Sequence, residues 1–138
     1  MATPQKQQDG VTFGTRALLT TTAIIEIGAG AAFVAVPASL APILIGAPLD
    51  GPAGVVMARL AGWALVSLGV ACWYGGRDAQ SRAAVGIVAG MLVYNIATTG
   101  LLAIARFSLG LTSLGLLPAA ALHAALALWC ITCLRRSR

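Results

Sequence analysis

The chain has 138 residues, 59% of them hydrophobic and 9% charged, against roughly 25% charged in an ordinary soluble domain, and that ratio excludes a water-soluble globule. Four apolar runs of about 20 residues, each the length that crosses ~30 Å of hydrocarbon, take up most of it and leave no room for a folded extramembrane domain of even about 40 residues. The net charge of +5 comes from basic residues lying mostly just outside the apolar runs, with no basic stripe interleaved with aromatics. It is a membrane-orientation signal, and no nucleic-acid partner is expected.

Residues 1–15 are polar, with Pro4 and two glycines, and are expected to form a flexible cytoplasmic tail. The first span follows over residues 16–36, and Pro37 ends it. Its length and its internal Glu26 distinguish it from a cleavable signal segment, whose apolar region runs to roughly 7–15 residues. Residues 37–53 carry four of the six prolines and no Lys or Arg, yet Leu40, Ile43, Leu44 and Ile45 keep them oily. A short interfacial or re-entrant connection is expected there. The second span covers residues 54–74, with Pro52 near its start. Gly75 to Arg82 is a tight polar turn that permits only an antiparallel helical hairpin. The third span covers residues 83–105 and the fourth 113–134, joined by a glycine-containing turn, and residues 135–138 form a basic tail. The expected fold is an all-α, integral membrane four-helix bundle.

Four spans put the N-terminal tail, the second connection and the C-terminal tail on one side. Lys6, Arg16, Arg77, Arg82, Arg135, Arg136 and Arg138 fall there, whereas the other side holds Arg106 and the second span contains Arg59. This bias places both termini in the cytoplasm, with a bacterial inner membrane as the expected location, and argues against dual topology. Gly86 with Gly90 on the third span, and Ala120 with Ala124 on the fourth, are small-residue pairs that would let helices approach closely. Trp73 and Tyr74 fall at the interface, while Trp63 lies deeper and could wall a pocket.

The informative residues are polar ones deep in the spans, at a cost of ~2.5–3.5 kcal/mol each on insertion scales. Glu26 lies ten residues past Arg16, about 15 Å into the membrane at 1.5 Å per residue. Asn95 and His123 are also central in their spans. Arg59 is nearer the outer boundary, from which its side chain can snorkel outward or reach down to Glu26. One such residue from each span predicts a midplane cluster of Glu26, Arg59, Asn95 and His123. Thr22 shares the Glu26 face, and Thr98 and Thr99 lie one turn from Asn95. Tyr94 adjoins Asn95 but points about 100° away, which argues against its joining the cluster. Such a group can serve only as interhelical glue, although two amides would do that at lower desolvation cost. As a site, an acid beside an imidazole suits proton handling, and Arg and His suit a polar group on an oily molecule.

Cys130 and Cys133 form a C-x-x-C with Cys72 at similar depth. Without a neighbouring His they make an incomplete zinc set, so no metal is expected. No phosphate-binding loop, dinucleotide fingerprint or hydrolase elbow occurs.

The first span ending in Val36-Pro37, the Pro-rich oily loop, Arg59 near the start of the second span, the Arg77-Asp78 turn and His123 in the fourth together resemble the DoxX-like superfamily of small four-helix membrane proteins. The resemblance covers residues 16–134. That superfamily includes quinone-linked oxidoreductase subunits, sterol-binding proteins and sterol isomerases, and the likeness implies an inward-facing pocket for an oily ligand, with Glu26, Arg59, Asn95 and His123 as its polar residues. The paired acids expected of an isomerase are absent. The leading expectation is a protein that binds a quinone, sterol-like molecule or lipid, as an accessory or redox-linked subunit, with quinone the cofactor in question. The alternatives are a small proton-coupled exporter acting as a dimer, which requires Glu26 to be unpaired, and a structural subunit of a larger membrane complex.

Overall fold

The computed structural model describes residues 4–136, with side chains from Thr12 onward. Its regular elements among the described residues are all helices: α1 (Pro4–Ala35), α2 (Pro37–Ile45), α3 (Gly51–Arg77), α4 (Arg82–Phe107) and α5 (Leu116–Arg136). Four segments, Thr12–Ala35, Gly51–Arg77, Arg82–Phe107 and Leu116–Arg136, are long and apolar enough to cross a membrane. Each lies within a few residues of an expected span. The N-terminal segment expected to be a flexible tail instead extends α1 back to Pro4. Proline fits a first helical turn, and the Gln5–Gln8 stretch is rich in helix formers. Residues 1–3 and 137–138 of the two expected tails lie outside the described residues.

The helix ends follow from local chemistry. Pro37 has no N–H and disfavours helical backbone before it, and Val36 accordingly leaves the α1 path at φ −132°, ψ 50°. The Pro-rich connection therefore folds as the separate helix α2, which stops at Gly46 with φ 78°, where its N–H reaches the Pro42 carbonyl at 3.0 Å. Ser81 Oγ caps α4 by accepting from the Ala84 N–H at 3.1 Å. Ser113 Oγ accepts from the Leu116 N–H at 3.2 Å and donates to the Leu44 carbonyl at 2.6 Å. The Gly115 N–H adds a 3.1 Å bond to the Ile43 carbonyl. The end of α2 is thereby fastened to the start of α5.

The long helices pack as two pairs, α1 on α3 and α4 on α5, with sparser contact between the pairs. In α1 and α3 the backbones nearly touch. A Cβ on Gly30 would lie 2.5 Å from the Gly62 carbonyl oxygen, one on Gly62 would lie 2.8 Å from the Gly30 oxygen, and one on Gly69 would lie 2.6 Å from Ile27. Such proximity provides dispersion contact where lipid supplies no hydrophobic driving force between helices. Gly86 and Gly90, the expected contact pair, meet nothing within 4 Å. They lie on exposed positions of α4, so the close contact belongs to α1 and α3. Ala120 and Ala124 are half-buried on α5.

The apolar core gathers Leu18, Leu19 and Ala23 from α1, Cys72 from α3, Ala84, Val88 and Met91 from α4, and Leu126, Cys130 and Cys133 from α5. It fills the half of the bundle that ends in Arg16, Arg77, Arg82, Arg135 and Arg136, hereafter the basic end. There the Arg77 guanidinium lies 5.3 Å from the Trp73 ring centroid and 5.9 Å from that of Tyr74, an arrangement suited to an aromatic belt. Replacing Gly30 by Val should cost about 1–3 kcal/mol through overpacking, whereas Gly90→Val should stay within about 0.5 kcal/mol. Thermal unfolding of the two variants in detergent, side by side with the parent, checks this contrast.

Candidate functional site

Glu26 is ten residues past Arg16, Asn95 is 13 past Arg82, and His123 is 13 before Arg136, so the three stand roughly 15–20 Å above the basic end at 1.5 Å per residue. Glu26 is 2% exposed and Asn95 fully enclosed; His123 is half-buried. Lipid offers these groups no partners, so the bundle turns them inward.

Asn95 joins α4 to α5. Its Nδ2 donates to the Met91 carbonyl at 2.8 Å, which orients the amide and leaves Oδ1 facing His123 Nδ1 at 2.7 Å. An amide oxygen only accepts, so Nδ1 carries the proton and Nε2 of the neutral ring is an acceptor. The assignment follows from the hydrogen-bond network. Among the described residues Nε2 has no hydrogen-bond partner.

Tyr94 links that pair to α1. Its hydroxyl donates toward Glu26 Oε2 at 3.5 Å, and its ring meets His123 edge-on, with centroids 5.5 Å apart at 81°. The 100° offset from Asn95 argued against Tyr94, but the phenol is long enough to reach α1 while its ring stays against α5. A polar aromatic next to Asn95 at mid-span was the signal available in the sequence. The other Glu26 oxygen, Oε1, is buried with no hydrogen-bond partner.

Arg59 does not join the cluster: it is exposed on α3. Its neighbour Ala58 and then Gly62 are the buried positions of that turn, and the residue after Ala58 is rotated about 100° off the face packed on α1. Arg59 does not take the path down to Glu26. Trp63, next to Gly62, is 60% exposed for the same reason and does not wall the site. Thr22 is buried one turn from Glu26. Thr99 donates to the carbonyl of Asn95 at 2.8 Å, and Thr98 lies in hydrogen-bonding reach of Tyr94. Cys72, Cys130 and Cys133 are free thiols in the apolar core. Among the described residues no three His, Cys, Asp or Glu side chains gather as a metal site.

The cluster is therefore an acid, a phenol, an imidazole and an amide, with Glu26 supplied by one helix pair and the other three by the second. The Tyr94 bond is at the long limit of hydrogen bonding and leaves the carboxyl largely unsatisfied. A negative charge buried there without a cation costs several kcal/mol, so a proton or the positive charge of a ligand must neutralise it.

Fold and site together define an all-α chain with four helices able to cross a membrane and, among the described residues, one buried acid between two helix pairs. Models of known protein families, characterised proteins and solved structures show no match to it.

A double-mutant cycle of Asn95→Ala and His123→Ala, read by unfolding in detergent, should return a coupling of about 0.6–1.7 kcal/mol, as measured for polar contacts between membrane helices. Arg59→Gln, outside the cluster, should shift stability by less than about 0.5 kcal/mol.

Proposed function

We propose that the chain is a small polytopic protein of a bacterial inner membrane, with both termini cytoplasmic, that binds a hydrophobic small molecule at the seam between its two helix pairs. The observation that carries the reading is the unpartnered Oε1 of Glu26. A residue kept only to hold helices together gains from having its polar atoms satisfied, and a half-satisfied buried network is worse than an apolar core. A ligand head group would complete this one. The open Nε2 of His123 and the carboxyl of Glu26 would meet its oxygen or hydroxyl, Tyr94 would line the approach, and the apolar residues around them would hold its body. A quinone, a sterol-like molecule or a lipid has that chemistry, and the DoxX-like resemblance leads to the same class of ligand. Arg59 has no part in this site.

One observation favours a second reading. A proton-coupled exporter of cations needs an acid with no cation beside it, and the outward position of Arg59 leaves Glu26 in that condition.

Native mass spectrometry with lipidomics on the detergent-purified protein tests the first reading against the second. A co-purifying quinone, sterol or lipid that is lost from Glu26→Gln or His123→Ala is the expected result. A ligand-free dimer whose variants stay folded would overturn ligand binding in favour of transport. Orientation has its own test: reporter fusions at each terminus should be active only as cytoplasmic reporters, and a periplasmic signal from either would reverse the topology.

A further inference from the structure

Away from the polar seam, the α4–α5 pair carries an open groove of about 220 Å³ lined by Leu92, Ile131, Leu134 and Arg135. Ile131, Leu134 and Arg135 recur at three- and four-residue spacing and so form one face of α5. Leu92 comes from α4, ten residues beyond Arg82 where that helix begins. Ile131, Leu134 and Arg135 all lie within five residues of Arg136, where α5 ends, about 8 Å at 1.5 Å per residue, so the groove sits close to the basic end.

The lining is apolar except at the mouth, where Arg135 is exposed and has no ion pair among the described residues. The surrounding end holds Arg16, Arg77, Arg82 and Arg136, with Asp78 the one acid among the described side chains there. An occupant that matches this lining is oily along its body and negatively charged at its head. A second copy of this chain would bring its own basic end against the first, and like charges would oppose it.

We propose that this groove is a binding site for an anionic phospholipid, with an acyl chain along Leu92, Ile131 and Leu134 and the phosphate on Arg135. The site is independent of Glu26. Basic side chains near a membrane surface attract anionic lipid with about 1 kcal/mol each, which at 1.4 kcal/mol per tenfold is about fivefold in affinity.

The purified protein is titrated with phosphatidylglycerol and with phosphatidylcholine of identical chains, and bound lipid is counted by native mass spectrometry. Phosphatidylglycerol should be retained in preference, and Arg135→Gln should weaken it about fivefold. Arg82→Gln, at the same end but outside the groove, should have a smaller effect. Ile131→Trp, which fills the groove, should reduce retention of both lipids. Equal losses from Arg82→Gln and Arg135→Gln would overturn the site in favour of diffuse surface attraction. Competition by inorganic phosphate alone would overturn the role of the acyl chain. A dimer abolished by Ile131→Trp would assign the groove to a second copy instead. Should Ile131→Trp fail to fold, the contrast between the two arginine variants decides the matter.

Discussion

Hydrocarbon cannot form hydrogen bonds, and nearly every feature of this chain answers to that constraint. It makes each span a helix, because only a helix satisfies its own backbone. It turns Glu26 and Asn95 into the bundle. It tolerates Arg59 on an exposed face of α3, because a long cationic side chain near a helix end can reach polar surroundings, whereas a short carboxyl at mid-depth cannot. The same constraint thus yields an acid without a neighbouring cation.

The packing that frames this acid has two different sources. Between α1 and α3 it is backbone against backbone at Gly30 and Gly62, where the absence of side chains allows dispersion contact. Between α4 and α5 it is the directed bond from His123 to Asn95. Tyr94 reaches from the second pair to Glu26 on the first through a long hydrogen bond. The least satisfied polar atom of the site, Glu26 Oε1, therefore sits where contact between the pairs is sparse. Two firmly packed pairs with an unsatisfied acid at their seam suit a site where a ligand or a proton changes the balance of contacts. At the end opposite the basic one, α2 is fastened to the start of α5 through Ser113 and Gly115, which ties the first pair's connection to the second pair.

Much of this was legible in the sequence because bilayer thickness and the cost of buried polar groups act on the chain directly. Apolar run length located the four spanning helices to within a few residues, and mid-span position selected Glu26, Asn95 and His123. What run length and depth do not contain is azimuth, the direction each helix turns about its own axis. Arg59 and Trp63 were placed at suitable depths, yet both turn outward because Ala58 and Gly62 take the face that packs on α1. Tyr94 was set aside on its angle, yet its length brings it in. Gly86 and Gly90 have the spacing of a helix contact, but α4 presents them to no neighbour.

The sequence by itself determined the all-α class, the number of helices able to cross a membrane and the depth of the polar residues, since each depends only on distance along the chain. Tertiary structure alone decided the pairing of α1 with α3 and α4 with α5, the entry of Tyr94 and the exclusion of Arg59. Those depend on which face of each helix meets another, a choice made by packing among residues far apart in the chain.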